Sequence, residues 1–286
     1  MPIIKNRIIP GSDSFPMAYD LFYNESELLQ PLLIYAHGFN GFKDWGNFDL
    51  IAQQALEAGF AFLKFNFSHN GTIPEFPEEF VDLDAFAENN YSKEVFDLKA
   101  IIDFVCSDPL LLKNVDVTRI GLIGHSMGGG ICILHTAADP RIKALATWAS
   151  ISHCSTPWTN WPSERIQEWK LAGVAYIPNS RTGQQMPLNY QLYEDYQQHK
   201  EQLDILGAIA RIQVPILICH GRQDPSVPFS SAQALKAAQE KAELFALDTD
   251  HVFGRKHPYD APVLPVPMQE VLNKSLDFFK TSLINK

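Results

Sequence analysis

The residues of this chain best suited to chemistry surround Ser126, in the run Gly124-His125-Ser126-Met127-Gly128. A glycine two positions away on each side is the spacing of a nucleophilic serine held on a sharp turn. Serine is a poor nucleophile at neutral pH, so attack on a carbonyl carbon needs a base that takes the hydroxyl proton. Histidine is the usual base, and an acidic residue must orient its ring and stabilise the imidazolium. The run therefore predicts a serine nucleophile with a histidine and an acid elsewhere in the chain.

The sequence around Ser126 also predicts the local structure that such a turn needs. The apolar run from Ile120 to Ile123 predicts a strand, and the small-residue stretch from Gly129 to Ala138 predicts a helix. Between the strand and the helix we expect Ser126 at positive φ. The small residues two positions away, Gly124 and Gly128, leave room for the backbone of this turn. The start of the helix directs N–H groups, and the positive end of the helix dipole, at an anion formed beside the serine.

Asp224 and His251 are the predicted acid and base. Asp224 follows the apolar run from Ile216 to Cys219, and His251 follows the run from Glu243 to Leu247. Open α/β sheets gather their active sites at the carboxyl ends of parallel strands, so we expect both side chains at that edge. His257 is a rival base in a more solvated setting. Asp250 is a rival acid, but adjacent residues rarely let one side chain orient the ring of the other.

An oxyanion on the substrate needs two hydrogen-bond donors near Ser126. We expect the backbone N–H of Met127, directly after the serine, to be one of them. The second is expected from the loop His37 to Gly41, which follows the apolar run from Leu32 to Ala36. The glycines of this loop allow a tight turn that directs the N–H of Phe39 inward.

These groups need a scaffold, and the chain predicts an α/β fold with a mostly parallel central sheet flanked by helices. Short apolar runs alternate with amphipathic stretches, and Phe48 to Ala58 and Ser92 to Val105 are predicted helices. The segment up to Glu27 contains turn residues and predicts an antiparallel hairpin at the sheet edge. The predicted strands are Leu32 to Ala36, Ala61 to Phe67, Ile120 to Ile123, Ala144 to Trp148, Ile216 to Cys219 and Glu243 to Leu247.

The length of 286 residues predicts one such core interrupted by a cap. We assign the core to residues 1–149 and 206–286. Residues 150–205 are assigned to the cap, because the alternation of strands and helices lapses there into a stretch rich in Trp, Tyr, Gln and Asn. Pro162 to Ala172 predicts a helix within this cap. Trp158 and Trp161 are candidates to line a substrate pocket, and the alternative is that they pack in the interior of the cap.

Composition limits the partners of the chain. A net charge of −10 without a dense cluster of Lys and Arg makes nucleic acid an unexpected partner. No apolar stretch approaches membrane-spanning length and Met1 to Lys5 does not begin a signal peptide, so we expect no membrane partner and a cytoplasmic location. The predicted chemistry needs no metal and no organic cofactor. Free thiols are expected at the four cysteines, which lack metal-ligand spacing: Cys106, Cys132, Cys154 and Cys219.

The order of these motifs, a His-Gly loop, a serine turn, an acid and a histidine, resembles the α/β-hydrolase superfamily over nearly the whole chain. The segments His37 to Gly46 and Asn179 to Gln184 look like those of bacterial hydrolases related to dienelactone hydrolases and to feruloyl or cinnamoyl esterases. The resemblance implies a carboxylesterase-like activity on a small-molecule ester. Dienelactone hydrolases proper use a cysteine nucleophile, so Ser126 departs from their pattern.

Three functions are compatible with these residues. The first is hydrolysis of a small carboxylic ester through an acyl-enzyme on Ser126, and this is the one we expect. The second is peptide or amide hydrolysis of the serine aminopeptidase type, with Glu194 and Asp195 as candidate ligands of an amino terminus. The third is a ligand-binding protein that keeps the fold without catalysis. The sequence does not predict the oligomeric state.

Overall fold

Strands and helices alternate through most of residues 3–25 and 28–285, the part of the chain that a computed structural model describes. Eight of the strands in this part form one sheet, in the spatial order 1-2-4-3-5-6-9-10, and the other two form a separate hairpin. The strands are β1 (Ile3–Pro10), β2 (Pro16–Phe22), β3 (Gln30–Ala36), β4 (Ala61–Phe65), β5 (Val115–His125), β6 (Ile142–Trp148), β7 (Val174–Pro178), β8 (Gln185–Asn189), β9 (Ile216–Gly221) and β10 (Glu243–Leu247).

The direction of the strands confirms the predicted fold class. β1 and β2 are antiparallel, β2 is antiparallel to β4, and every pairing from β4 to β10 across the sheet is parallel. The predicted edge hairpin is therefore present, although Glu27, the last residue of that prediction, lies outside the described residues. All the parallel strands end at one edge, where the loops after β3, β5, β9 and β10 meet.

The helices lie between the strands in sequence and cover both faces of the sheet. Neighbouring residues of β3 point to opposite faces: Leu32 and Ile34 belong to one buried cluster, and Leu33 and Tyr35 belong to another. Helices α1 and α9 pack in the second cluster, and helices α3, α4, α7 and α8 pack in the first. The helices are α1 (Phe48–Glu57), α2 (Leu83–Ala87), α3 (Tyr91–Val105), α4 (Met127–Ala138), α5 (Ser163–Ala172), α6 (Gln191–Gln198), α7 (Ile205–Arg211), α8 (Ser230–Ala238) and α9 (Val266–Phe279).

Five of the six predicted strands differ from the prediction in their bounds. β3 and β6 each begin two residues earlier than predicted, and β9 ends two residues later. β4 ends at Phe65 rather than Phe67, because the Phe67 N–H donates to the His37 ring instead of to a strand. β5 begins at Val115, five residues before the predicted start, because it pairs with β3 on both sides of a register shift. No helix in the described part of the chain is both long and apolar enough to cross a membrane.

The region assigned to the cap contains the predicted helix, α5, together with α6 and the antiparallel hairpin of β7 and β8. Trp169 of α5 is almost fully buried, and its indole N–H donates to the Leu188 carbonyl at 2.7 Å. The hairpin is not predicted by the sequence, because its strands carry prolines and polar residues without clear alternation. The domain boundaries at residues 149 and 205 stay a prediction.

Glu94 of α3 is a buried acid in the core. Asn89 donates a hydrogen bond to its Oε1 at 2.9 Å, and its Oε2 is buried without a hydrogen-bond partner. Burial raises the pKa of the Glu94 carboxyl to about 8, so the folded protein holds this group protonated at neutral pH. In the unfolded chain the carboxyl ionises at its ordinary pKa, near 4.5.

Glu94→Gln is expected to stabilise the protein at neutral pH. Below about pH 4.5 both states of the wild-type protein hold the proton, and stability is lost as the pH rises toward 8 because only the unfolded state releases it. By pH 7 that loss is about 3 kcal/mol, and a glutamine avoids it. Urea unfolding at pH 4.5 and pH 7.5 measures the difference, with the exposed Glu201→Gln as control. Equal gains at both pH values would contradict a buried neutral acid.

Candidate active site

Ser126 lies on a strained turn between β5 and α4. Its φ of 55° and ψ of −120° place it in a region that residues with a side chain rarely adopt. A Cβ on Gly124 would lie 2.4 Å from the Gly128 carbonyl oxygen, and one on Gly128 would lie 2.3 Å from the His37 carbonyl oxygen. Only glycine fits at either position, so the two glycines are what permit the turn.

Asp224 and His251 are hydrogen-bonded to each other. The His251 Nδ1 lies 2.7 Å from Asp224 Oδ2, with the carboxylate on the loop after β9 and the ring on the loop after β10. The other oxygen, Asp224 Oδ1, accepts the backbone N–H groups of Ser226 and Val227, both at 2.8 Å. Burial alone would raise the pKa of the Asp224 carboxyl, but the hydrogen bonds from His220 and His251 hold it well below its usual range. A carboxylate therefore faces the Nδ1 of His251.

The rival acid and base point elsewhere. Asp250 Oδ1 accepts the backbone N–H groups of Val252 and Gly254, which form its own turn. His257 Nδ1 accepts the Gly46 N–H at 3.2 Å, and its ring packs against Phe42. Among the described residues, neither side chain is hydrogen-bonded to Ser126, Asp224 or His251.

The loop after β3 passes directly beside the serine. A Cβ on Gly38 would lie 2.8 Å from Ser126 Cβ and 3.4 Å from Ser126 Oγ. The backbone N–H groups of Phe39 and Met127 donate no hydrogen bond to another described residue. Two N–H groups without a partner, on the segments that flank the hydroxyl, are available to bind an oxyanion, and that role stays a prediction.

His37 fixes the conformation of this loop. Its Nε2 accepts the Phe67 N–H at 3.2 Å, so the ring proton is on Nδ1, which lies 2.9 Å from the Gly38 carbonyl oxygen. Burial lowers the pKa of His37 to about 4, which keeps the ring neutral. A neutral His37 bonded at both nitrogens is a structural support for Phe39 and is not available as a base.

Ser126 and His251 line one small cavity of about 130 Å³, at the carboxyl edge of the parallel strands. No hydrogen bond joins the Ser126 hydroxyl to the His251 ring among the described residues. Catalytic hydrogen bonds are often long in a free enzyme and shorten in the substrate complex. Aromatic side chains of the loop after β3 complete much of the wall, namely Phe39, Phe42 and Trp45.

This order of elements and residues matches known proteins. A family model described as the alpha/beta hydrolase family matches residues 33–263. The chain belongs to the alpha/beta hydrolase family. The resemblance of the motifs to the α/β-hydrolase superfamily is thereby confirmed.

One curated relative of this alpha/beta hydrolase is described as a peptidase. The uncharacterized peptidase YuxL of Bacillus subtilis (strain 168) is 27% identical over 225 residues, which cover 76% of this chain and 29% of that protein. The chain spans less than half the length of the curated relatives it matches.

Two solved structures have the same fold along nearly their whole length. The alpha/beta hydrolase GrgF from Penicillium sp. sh18 has a TM-score of 0.70 at 21% identity, covering 99% of each chain. Est1E from Butyrivibrio proteoclasticus, solved with ferulic acid bound, has a TM-score of 0.68 at 19% identity, covering 97% of this chain and 99% of that one.

Trp158 and Trp161 lie apart from the cavity of this alpha/beta hydrolase, so their prediction as pocket residues has no support in the geometry. Trp158 is buried and packs against Trp169 and against Tyr91 of α3. Trp161 contacts Trp169 and stacks on the guanidinium of Arg165, 3.8 Å from the ring centroid. Both residues pack within the aromatic interior of the segment assigned to the cap, which is the alternative stated for them above.

Two histidines that the sequence analysis did not single out position the site. His125 Nε2 lies 3.0 Å from the His251 carbonyl oxygen, and the two ring centroids are 4.8 Å apart. Burial holds the pKa of His125 well below its ordinary value, so the neutral ring donates Nε2–H to that carbonyl. His220 Nε2 lies 2.9 Å from the Val227 carbonyl oxygen and 3.4 Å from Asp224 Oδ2. The two histidines therefore hold in place the loop that carries His251 and the loop that carries Asp224.

Three carboxylates beside the loop after β3 have ligand atoms within 4.8 Å of one another, as a metal site requires: Asp20, Asp44 and Asp49. The space among them is filled by ammonium groups. Lys43 Nζ lies 2.7 Å from Asp20 and 2.5 Å from Asp44, and Lys64 is bonded to Asp44 and Asp49. The group is a buried cluster of ion pairs that ties the loop of Lys43 to β2, β4 and α1.

Proposed function

We propose that this alpha/beta hydrolase cleaves a small carboxylic ester through an acyl-enzyme on Ser126. The observation that carries the proposal is the hydrogen-bonded pair of Asp224 and His251 beside the cavity in which Ser126 stands on its strained turn. Serine in this position favours acyl transfer to water.

In the first half of the reaction, Ser126 Oγ attacks the ester carbonyl carbon while His251 Nε2 takes the hydroxyl proton. Asp224 accepts the Nδ1–H of His251, which selects the tautomer with a free Nε2 lone pair and stabilises the imidazolium. The negative charge on the carbonyl oxygen is bound by the N–H groups of Phe39 and Met127. Collapse of this intermediate breaks the ester bond, and His251 gives its proton to the leaving alcohol.

The second half repeats these steps with water. His251 takes a proton from a water molecule as the water oxygen attacks the acyl carbon. The same two N–H groups bind the new oxyanion. When the bond to Ser126 Oγ breaks, the proton returns to that oxygen and the carboxylic acid is released. No metal or organic cofactor enters these steps.

The size of the cavity supports a small substrate. Pockets for drug-sized ligands enclose about 300–1,000 Å³, and the cavity at Ser126 encloses about 130 Å³. Acyl or alcohol groups of a few carbon atoms fit such a space. The proposed location of the reaction is the cytoplasm, as composition predicts.

Amide or peptide hydrolysis is the second candidate, favoured by the peptidase among the relatives. The acidic residues suggested for an amino terminus do not support it. Glu194 is exposed, and Asp195 accepts the backbone N–H of Ser92 at 3.2 Å and contacts His199. Neither lines the cavity of Ser126.

Short p-nitrophenyl esters compared with aminoacyl p-nitroanilides test the proposal. We expect turnover of acetyl and butyryl esters, with an initial burst of p-nitrophenol because the acyl-enzyme forms faster from these activated esters than water removes the acyl group. A fluorophosphonate is expected to label Ser126, and mass spectrometry of the tryptic peptides would identify the labelled residue. Turnover of anilides alone would favour the peptidase. Ligand binding with neither burst nor labelling would favour a non-catalytic protein.

A further inference from the structure

Arg255 is a buried cation in the wall of the active-site cavity. It follows His251 by four residues, is only 4% exposed, and lines the same cavity as Ser126 and His251. Nothing in the proposed acyl transfer uses it. Arginine is rarely buried to this extent without a partner of opposite charge.

Among the described residues, no carboxylate forms an ion pair with the guanidinium. Its Nε donates to the Val252 carbonyl at 3.2 Å, but Nη1 and Nη2 are buried without a hydrogen bond of good geometry to any described residue. The neutral Tyr35 hydroxyl lies close enough to the guanidinium to favour its charge, as does the more distant Asp250 carboxylate, but neither pairs with it as a carboxylate in direct contact would. Burial lowers the pKa of Arg255, although a guanidinium stays protonated in proteins. Two strong donors are thus desolvated and unsatisfied, which costs free energy.

Aromatic faces hold the guanidinium in place without using its N–H groups. Its central carbon lies 4.8 Å from the centroid of the Phe48 ring and 5.4 Å from that of Trp45. Stacking of this kind orients the planar group and leaves its N–H edge free. That edge matches the two oxygens of a carboxylate.

The charge of the cavity wall favours an anion. No Asp or Glu is among the residues that line it. Of the histidines there, His37 and His125 have a pKa lowered by burial and are neutral. Arg255 therefore gives the cavity a fixed positive charge beside the nucleophile.

We propose that Arg255 binds a carboxylate carried by the substrate, so that the ester belongs to a small molecule with a second, free carboxyl group. The inference rests on the proposed ester hydrolysis and specifies its substrate class. The carboxylate belongs either to the acyl part, as in a half-ester of a dicarboxylic acid, or to the alcohol part, as in an ester of a hydroxy acid. The cavity limits the spacer between the two groups to a few carbon atoms.

Pairs of esters that differ only by carboxylate or carboxamide test the inference. Ethyl hydrogen succinate and ethyl succinamate carry the group on the acyl side, and acetoxyacetate and acetoxyacetamide carry it on the alcohol side. We expect the wild-type protein to prefer the carboxylate by about 10- to 100-fold in kcat/KM in one pair, the range for a charge-assisted hydrogen bond. The pair that shows the preference identifies the side on which the carboxylate lies.

Arg255→Met is expected to abolish this preference, mainly through a higher KM for the carboxylate substrate, and Arg255→Lys to keep part of it. Arg222→Gln is the matched control, because Arg222 is half-exposed and pairs with Asp248 outside the cavity. We expect this control to keep the wild-type preference. An equal preference in the wild-type protein and in Arg255→Met would overturn the inference and leave ester hydrolysis standing.

Calorimetry with the free acids separates the two proposals and does not depend on turnover. Succinate and acetoxyacetate are titrated into the Ser126→Ala protein, with and without the Arg255 substitution. We expect at least one acid to bind, and we expect Arg255→Lys to reduce its affinity about 10-fold or more. Arg255→Lys keeps a cation at this position and serves in case Arg255→Met fails to fold. Absence of binding by both acids, together with no carboxylate preference in turnover, would contradict a carboxylate site. Failure of all esters and of fluorophosphonate labelling would instead contradict the proposed function.

Discussion

Ser126→Ala is expected to lower kcat for ester hydrolysis by about 10⁴- to 10⁶-fold, the loss found when the nucleophile of a serine-histidine-acid enzyme is removed. Alanine has no hydroxyl to attack the carbonyl carbon, so an acyl-enzyme cannot form. The fold is expected to persist, because the turn depends on Gly124 and Gly128 and not on the serine side chain. Initial rates on p-nitrophenyl acetate and labelling by a fluorophosphonate measure the effect.

Ser107→Ala is the matched control for this prediction. Ser107 is exposed after the end of α3, where its hydroxyl only donates to backbone carbonyl oxygens. We expect wild-type rates from it. The expected loss for Ser126→Ala is at least about 10⁴-fold. A well-folded Ser126→Ala sample that kept more than about a tenth of the wild-type rate would show that another residue is the nucleophile.

Asp224→Asn is expected to lower kcat by about 10³- to 10⁴-fold while leaving the geometry nearly intact. The Oδ1 of residue 224 accepts two backbone N–H groups, so the amide oxygen of an asparagine would stay there and its NH₂ would face His251. His251 Nδ1 must then accept a hydrogen bond, which moves the ring proton to Nε2. In that tautomer Nε2 cannot take the proton of Ser126.

A pH profile of the wild-type protein would test the assignment of these roles. Activity of the wild-type protein is expected to fall as the pH is lowered, because a protonated His251 cannot act as base. Asp224 keeps its charge through that fall, since its hydrogen bonds hold the pKa of its carboxyl low. Asp248→Asn, at an exposed carboxylate that pairs with Arg222, is the control. A loss from Asp224→Asn no larger than that of Asp248→Asn would contradict the role of Asp224 as the orienting acid.

Local sequence was sufficient to predict the sheet. The strand from Glu243 to Leu247 has the predicted bounds, and α5 begins one residue after its predicted start at Pro162. These elements are set by runs of apolar residues and by caps, which short windows of sequence contain. The hairpin of β7 and β8 was missed, because its strands pair only with each other and are stabilised by packing against distant parts of the chain.

The residues of the site also fall into those that the sequence predicted and those that it did not. Ser126, Asp224 and His251 were selected because nucleophile, acid and base follow strands in a set order, and the structure brings the acid and the histidine to 2.7 Å. His125, His220 and Arg255 were not selected. Only the folded structure identifies them. His125 is identified by its hydrogen bond to a carbonyl oxygen 126 residues away in the chain, and Arg255 by guanidinium nitrogens that have no hydrogen-bond partner among the described residues. The residue type alone did not decide the role of Trp158 and Trp161, because tryptophan suits a pocket and an interior equally well.

The bond from the His125 ring to the His251 carbonyl has a consequence for how such a protein can change. It links the serine turn at the end of β5 to the loop that carries His251, and neither contact involves Trp158. Substitutions around Trp158 can therefore accumulate without disturbing the alignment of the reacting groups. Selection, natural or in the laboratory, is free to vary that segment while the chemistry stays the same.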